Sequence, residues 1–450
     1  MESEDYKSLG YDVVKTCSRL AGDKSFRNLY SIICSHGNTE AAVWLEGDYP
    51  HSMTFSQLAQ LTDNYAAVLS KVFGNNGRIC ICIDLCKEWF PLFWGLIRSG
   101  HDVLAVQPSL PDTKVEEIIV NAGAIGIISA QTRDLGCQCR QLLLSELMKA
   151  PEVNNYIPVW AHNIAISTIN INGESEIYVY DEKAVCSHAM FSEKVYKDNR
   201  RLIDDKPFRT MAYLPFPHAI SLSSIFIWSN FLGYTTIYLK NYDPQTIKRT
   251  SKICRVNQIV TVPEFASSQC NALLDSVRTL GIAQKVWFMA KINLSLVLQF
   301  LLHGSGQKIA MAMFDKVRKG IFGNDLQSVV IGGSQIDYRT IKVFNAIGYH
   351  TACGFGMAET AINSFETSKG LSKRLLRSIG TPMPGVEYRI SGKGNKGELQ
   401  IRGNGIHTGR LVNGEMLPPD LDAEGWFSTR GIAVKDGAGR YHIVGHIGKI

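Results

Sequence analysis

The stretch Thr351-Ala-Cys-Gly-Phe-Gly-Met-Ala-Glu-Thr360 decides the fold; in it two glycines flank an aromatic residue and an acid follows. Glycines such as Gly354 and Gly356 let a backbone approach a ligand closely. Phe355 can stack on a planar group, and the Glu359 carboxylate can hold a hydrated cation near phosphates. A tight strand-to-helix turn with an exposed acid is the other interpretation, since short glycine motifs are common.

Composition places the chain among globular proteins with more than one hydrophobic core. It has 450 residues, of which 45% are hydrophobic and 20% are charged, and its formal net charge is +6. Chains of this length usually divide, since single cores stop growing near about 250–300 residues. No basic stripe interleaved with aromatic residues stands out, so we expect no nucleic-acid partner.

The sequence also gives expectations about membranes, metals and compartment. The acidic start, Met1-Glu-Ser-Glu-Asp5, is unlike a secretory signal. The longest apolar run that we recognise, 220–232, is interrupted by serines, so we expect no membrane span. Cys137 and Cys139 lack a second pair at zinc-like spacing, which argues against a metal site there. The eleven cysteines form no disulfide framework, and a reducing cytoplasm fits them best.

Alternating strand and helix patterns predict an α/β protein. Thr54-Phe-Ser-Gln57 has the form of a capping box, and apolar residues then recur at helical spacing. The apolar strand Arg78–Ile83 begins an alternation of helices and strands, which predicts parallel crossovers. A second α/β pattern occupies residues 205–345. Beyond Ser378, short alternating strands between Gly- and Pro-rich turns predict an antiparallel, barrel-like region.

Six stretches in a shared order carry a resemblance to a known family. They are Tyr213-Leu-Pro-Phe-Pro-His218, Val330-Ile-Gly-Gly-Ser334, Gly354-Phe-Gly-Met-Ala-Glu359, Ser378-Ile-Gly-Thr-Pro382 with Pro384-Gly385, Gly397-Glu-Leu-Gln-Ile-Arg-Gly403, and Gly425-Trp-Phe-Ser-Thr429. From about Thr54 onward, the chain resembles the large N-terminal domain of the adenylate-forming superfamily. That superfamily includes acyl- and aryl-CoA synthetases, peptide-synthetase adenylation domains and luciferases.

The resemblance implies an α/β fold of two layered α/β subdomains plus a distorted antiparallel β-barrel-like subdomain. We expect the two α/β subdomains at 1–195 and 196–350. The active-site turn and the barrel-like subdomain should occupy 351–446, and a hinge remnant 447–450, with the family's small C-terminal domain absent. Whether the end at Ile450 is natural or an artificial boundary stays open.

Members of the superfamily typically bind ATP and Mg²⁺, join AMP to a carboxylate, and pass the acyl group to a thiol or an amine. The resemblance therefore implies these cofactors here. The candidate cofactor-binding residues are Gly333, Gly354, Phe355, Gly356 and Lys183. Glu359 matches the acid that is associated with Mg²⁺, but Ala358 replaces the usual threonine whose hydroxyl helps to hold the α-phosphate.

The usual phosphate-binding loop is missing from the sequence. The family's Gly/Ser/Thr-rich loop should lie between the strand Glu176–Tyr180 and the pair Ser187-His188, yet that interval holds only Asp181-Glu-Lys-Ala-Val-Cys186. The interval has no glycine and carries two acids, so it predicts a tight polar turn. Lys183 is the one cation in it that could take the place of the loop.

The ribose-binding acid is missing as well. The family's Thr-Gly-Asp triplet corresponds to Thr429-Arg-Gly431, and Gly431 has no side chain to accept hydrogen bonds from a ribose. Asp436 is close in sequence, but it fits the turn of a hairpin better. We therefore expect the binding of ATP and Mg²⁺ to be weak or absent.

The acid-binding side of the site is retained. His218 stands where acyl- and aryl-type members carry a pocket-gating histidine, and with Glu359 it is a candidate catalytic residue. No aspartate occurs in 219–224, where amino-acid-activating members pair the ammonium group, so an acid without an amino group is favoured. The candidate pocket residues are His218, Phe226, Gly332, Gly333 and Gly354, with Trp228 beside them. Ordinary core packing is the alternative for the two aromatic residues.

These residues predict a ligand cavity in a crevice between the α/β layers. We expect it to be bounded by His218, Gly333 and Phe355, with Glu359 at its mouth. The alternative is a collapsed crevice filled by other side chains: Phe216, Phe226 or Met357.

Three functions remain open from the sequence. The leading one is an adenylation-type domain with a decayed ATP site, which binds a small acyl or aryl acid, or a carrier protein or partner enzyme, with little or no adenylation. The second is a divergent ATP-dependent ligase that joins a carboxylate to CoA or to a carrier. The third is ATP-independent transfer of an already activated acyl group.

Overall fold

The structure is a computed structural model that describes residues 9–170, 172–203, 208–392 and 394–447. Its helices are α1 (Leu9–Gly22), α2 (Phe26–Cys34), α3 (Phe55–Phe73), α4 (Trp89–Arg98), α5 (Asp112–Ala122), α6 (Leu144–Leu147), α7 (Glu182–Ala189), α8 (Phe191–Asp198), α9 (Ala219–Phe231), α10 (Pro244–Ile253), α11 (Pro263–Arg278), α12 (Ile282–Met313), α13 (Asp315–Ile321), α14 (Tyr338–Ala346) and α15 (Leu371–Leu375). The middle of α9 is π-helical.

The strands divide among three sheets. They are β1 (Glu40–Glu46), β2 (Tyr49–Thr54), β3 (Arg78–Cys82), β4 (Asp102–Ala105), β5 (Ala124–Ser129), β6 (Arg140–Leu143), β7 (Asn163–Ile169), β8 (Ser175–Asp181), β9 (Arg209–Ala212), β10 (Thr235–Tyr238), β11 (Gln258–Thr261), β12 (Ser328–Ile331), β13 (His350–Met357), β14 (Ala361–Phe365), β15 (Thr381–Pro382), β16 (Val386–Ile390), β17 (Lys396–Gly403), β18 (Gly409–Val412), β19 (Glu415–Leu417), β20 (Phe427–Lys435) and β21 (Tyr441–His446).

The first sheet has the strand order β19-β18-β8-β7-β4-β3-β5-β6. Strands β3 to β7 pair with one another in parallel, which confirms the predicted crossovers, and β7 pairs antiparallel with β8. The predicted capping box is confirmed at the start of α3, where Thr54 and Gln57 exchange side-chain-to-backbone hydrogen bonds. Apolar strands such as β3 are nearly fully buried because helices cover both faces of a parallel sheet.

The second sheet has the order β15-β14-β13-β12-β11-β9-β10-β1-β2, with a parallel centre from β13 to β1. Strands that are distant in sequence join each layer: β1 and β2 pair into the second sheet, and β18 and β19 pair into the first. The third sheet, β16-β17-β20-β21, is antiparallel throughout, which confirms the antiparallel region predicted beyond Ser378.

The largest core cluster unites residues of all three sheets around the aromatic side chains of α4 and α9. Phe226 is fully buried there, with its ring centroid 4.9 Å from that of Phe93 and 5.0 Å from that of Phe216. The placement of Phe226 in a pocket wall is therefore wrong, because its face of α9 packs into this cluster.

Helix α12 corrects the expectation that the chain has no apolar run long enough to span a membrane. By length and composition it is long and apolar enough to cross a membrane. In this fold one of its faces packs on the protein, where Ser295 donates to the carbonyl of Ala346 at 2.6 Å and Gln299 donates to that of Asn345 at 2.8 Å. The helix is also interrupted at His303, whose backbone has φ 46° and ψ −116°.

Candidate functional site

The carboxyl ends of the parallel strands β11, β12 and β13 meet at one edge of the second sheet. Such edges are where open α/β sheets bind ligands. Gly332 follows β12 here, and a Cβ on it would lie 3.2 Å from the Ile220 side chain. Gly354 lies in β13, where a Cβ would be 3.4 Å from the carbonyl of Ser364. The glycines therefore permit close packing of three elements at this edge.

The motif at 351–360 forms a hairpin between β13 and β14, so the alternative of a strand-to-helix turn is wrong. Gly356 is required by this hairpin, because a Cβ there would lie 2.2 Å from the carbonyl oxygen of Ala361. The buried phenol of Tyr180, in the first sheet, holds the turn. It donates to the carbonyl of Ala358 at 2.5 Å and accepts from the amide of Ala361 at 3.1 Å.

An apolar cavity that is partly open to solvent lies on one side of the hairpin. Gly332, Gly354 and Phe355 line it at the sheet edge, and Trp228 and Val330 line its walls. None of the described residues that line it is an aspartate or a glutamate. The cavity can therefore enclose an uncharged hydrocarbon or aromatic group, and a buried ammonium would find no partner there.

His188 is the histidine in this cavity, and the sequence prediction missed it. The ring is buried, and a contact with the backbone of Ile362 offsets only part of the effect of that burial. Burial lowers the pKa of His188 to about 4, so the ring is neutral near pH 7. In the sequence His188, Phe191 and Val195 recur at helical spacing, and all three line the cavity, but that spacing does not show which face of the helices borders a ligand space.

The other predicted pocket residues do not lie together in this cavity. His218 is exposed, directly before α9, and is not among the residues that line the cavity. Gly333 lines a different cleft. The expected single cavity bounded by His218, Gly333 and Phe355 is therefore wrong, although Gly332, Gly354 and Phe355 do meet.

That second cleft lies between the sheet edge and the small antiparallel sheet. Gly333 and Gly356 line it, and so do Arg377 and His442 from later in the chain. Gly354 and Phe355 border both the cleft and the apolar cavity. A ligand that filled both spaces would have its central atoms beside these two residues.

Glu359 lies on the far side of the hairpin turn, not at the mouth of either space. The phenol of Tyr178 donates its one proton to Glu176 at 2.8 Å, and the phenol oxygen lies 3.4 Å from the carboxylate of Glu359. Burial, with the nearby charge of Glu176, raises the pKa of Glu359, while Arg430 opposes that shift. Among the described residues no three His, Cys, Asp or Glu side chains cluster as they would around a metal ion. A Mg²⁺ ion usually takes only one or two carboxylates from a protein, and Glu359 is the residue that would hold it here.

The predicted polar turn at 181–186 is wrong, because α7 begins directly after β8. Asp181 caps the helix by accepting from the amide of Ala184 at 2.8 Å. Glu182, in the first turn, accepts from the amide of Phe26 at 3.0 Å, and Lys183 is exposed. Carboxylates thus occupy the helix N-terminus, which would otherwise attract a phosphate.

Residues 429–431, which correspond to the family's ribose-binding triplet, are part of the small antiparallel sheet. Arg430 has a left-handed backbone, with φ 55°, and its amide donates to Glu398 at 2.9 Å. The amide of Gly431 donates to the hydroxyl of Thr429 at 3.1 Å. Asp436 accepts from the amides of its own turn, as predicted.

The comparison with protein families now decides the assignment. The family model described as AMP-binding enzyme matches residues 183–410, which is more than half of the chain. The chain belongs to the AMP-binding enzyme family. The match begins at Lys183, after the position of the missing phosphate-binding loop, and it includes the hairpin motif and the apolar cavity.

Curated relatives match parts of the chain. A long-chain-fatty-acid–CoA ligase 2 of Schizosaccharomyces pombe is 23% identical over 241 residues, covering 49% of this chain and 34% of the relative. The nonribosomal peptide synthetase atqA of Aspergillus terreus is 36% identical over 104 residues, covering 20% of this chain and 11% of the relative. The matched stretches span about a third or less of the relatives' own length.

Solved structures show the same fold over nearly the whole chain. The N-terminal subdomain of Klebsiella oxytoca NpsA, in complex with 3-hydroxybenzoyl-AMSN, has a TM-score of 0.69 at 16% identity, with 94% of this chain and 100% of that one covered. The N-terminal domain of FACL13 from Mycobacterium tuberculosis has a TM-score of 0.70 at 17% identity, with 93% and 98% covered. The predicted fold class is therefore confirmed.

The lowered pKa of His188 gives a prediction about pH. As pH falls from about 6.5 to about 4, the unfolded chain takes up a proton at His188 and the folded chain does not, so folding stability falls. Urea unfolding should show the wild type losing about 2 kcal/mol more than His188→Asn between about pH 7 and pH 5. The other buried histidines are present in both proteins and cancel. Parallel stability profiles would contradict the burial of a neutral His188.

Proposed function

We propose that this chain is an AMP-binding-family domain that binds the acyl or aryl part of a carboxylic acid and adenylates it weakly or not at all. One observation carries the proposal. An open apolar cavity lies at the sheet edge, and beside it α7 and the carboxylate that caps this helix occupy the position where the family has its phosphate-binding loop. The acid-binding half of an adenylation site is present without the half that would hold a triphosphate.

The chemistry of the cavity selects the ligand. Its described lining has no carboxylate to pair an ammonium, and His188 is neutral, so an uncharged hydrocarbon or aromatic group fits while an amino acid does not. Relatives named for long-chain fatty acids and an NpsA structure with a 3-hydroxybenzoyl conjugate support the acyl and aryl alternatives equally. The acid's carboxylate would lie near Gly354 and Phe355, where the cavity meets the second cleft.

The nucleotide side is where the chain departs from its family. Asp181 and Glu182 present negative charge where β- and γ-phosphates would lie, and Ala358 and Gly431 lack the usual hydroxyl and acid. Each charge-assisted hydrogen bond that is lost costs about 1.5–3 kcal/mol. Two or three such losses together weaken binding at least about a hundredfold, and no adenylation step is assigned to this chain.

A divergent ligase is the second candidate, and the open cleft beside Phe355 favours it. That cleft could accept an adenosine moiety between the sheet edge and the small sheet, with the phosphates held by another chain or segment. Transfer of a pre-activated acyl group to a carrier protein or partner enzyme would use the same two spaces.

All eleven cysteines are free thiols, which supports a reducing compartment such as the cytoplasm.

A comparison of ATP with AMP tests the nucleotide side of the proposed function. If nothing cradles the β- and γ-phosphates, calorimetric titration should give ATP with Mg²⁺ no tighter binding than AMP, within about threefold, and neither should bind in the micromolar range. ATP binding at least about tenfold tighter than AMP would contradict the proposal. That result would favour the divergent ligase.

The second prediction tests the cavity itself. Val330→Phe places a ring inside the cavity and should weaken the binding of fatty and aromatic acids at least about tenfold, since the filled space can no longer enclose them. His218→Phe introduces the same ring at an exposed position outside the cavity and should leave acid binding unchanged. Titration calorimetry measures both variants, with circular dichroism as the control for folding. Loss of binding in His218→Phe alone would contradict the assignment.

A further inference from the structure

Helix α12 has an outward face that the proposed function does not use. Between Ile282 and the break at His303, the buried side chains Phe288, Ile292 and Gln299 lie on one side. Nine large apolar side chains of this segment are exposed: Ile282, Val286, Trp287, Met289, Leu294, Val297, Phe300, Leu301 and Leu302. A surface helix of a soluble protein normally turns polar residues outward, so this face is built to be covered.

The exposed face is apolar over its whole width. Its exposed positions include two polar side chains, Gln284 and Asn293, and no charged one. Leu301 is 65% exposed and Val297 is 53% exposed, one helical turn apart at the centre of the face. Apolar patches of this extent on a protein surface mark interaction sites.

The charges around the face have one sign. Lys285 and Lys291 flank it, Lys291 lying over the Trp287 ring at 5.5 Å, and no acid occurs in the sequence between Asp275 and Asp315. The broad cleft beside the C-terminal end of α12 is lined by cationic side chains, among them Lys308, and none of its described lining residues is acidic. The complement of this surface is apolar with anionic groups at its border.

We propose that this face of α12 lies on the surface of an anionic membrane. An interfacial helix buries its apolar side at the boundary of headgroups and acyl chains, while lysines at its flanks reach anionic headgroups. A second copy of the chain fits less well, because a symmetric contact would set lysines against lysines without a carboxylate to offset them. The helix does not span the membrane, because Ser295 and Gln299 tie its other face to the carbonyls of Ala346 and Asn345 in α14.

Vesicle flotation of the full chain tests this proposal. The protein should float with vesicles of phosphatidylcholine and phosphatidylglycerol, and much less with vesicles of phosphatidylcholine alone. The pair Val297→Asp and Leu301→Asp should reduce binding at least about tenfold, and Lys285→Gln with Lys291→Gln should reduce it about fivefold for each lysine. The matched control is Ile157→Asp, at an 85% exposed position in the first α/β layer, which should bind like the wild type.

Two results would overturn the proposal. The first is failure of the wild type to float with anionic vesicles. The second is a dimer in sedimentation velocity that Val297→Asp with Leu301→Asp abolishes, which would make a second copy the occupant of the face. All substituted positions are exposed or partly exposed, so unchanged thermal unfolding serves as the control for folding.

Discussion

The phenol of Tyr180 joins the two large sheets at the point on which both ligand spaces depend. Tyr180 lies near the end of β8 in the first sheet. Its hydroxyl donates to the carbonyl of Ala358 and accepts from the amide of Ala361 across the turn of the β13–β14 hairpin. Gly356 lets the hairpin close, since no side chain fits beneath the carbonyl of Ala361. With the turn held in this way, Gly354 and Phe355 form the wall between the apolar cavity and the second cleft.

The same strand explains what the site lacks. One residue after Tyr180, Asp181 caps α7, so the chain passes from strand to helix with no room for a flexible phosphate-binding loop. The short connection places His188, from the end of α7, into the cavity wall. The wall of the apolar cavity and the capped start of α7 thus follow from one local arrangement, and both parts of the proposed function rest on it.

The fold could be predicted from the sequence because its signals are local. Apolar strands, the capping box at Thr54 and the ordered motifs each act over a few residues. The helix at 182–189 could have been predicted too, since Asp181 before Glu182 and Lys183 is a good N-cap sequence. The identity of the cavity histidine could not, because the choice between His188 and His218 depends on how α7 and α9 pack. The placement of Phe226 likewise depends on Phe93, which lies far away in sequence.

Acid-dependent exchange of pyrophosphate into ATP tests the central claim most directly, because it requires the acid pocket and the triphosphate site to work together. With a panel of fatty and aromatic acids, the account predicts that this chain gives no exchange above the background without acid, although acids bind to it. Exchange that depends on an added acid and is lost in Val330→Phe would contradict the account. It would show that the chain holds a triphosphate despite the capped start of α7.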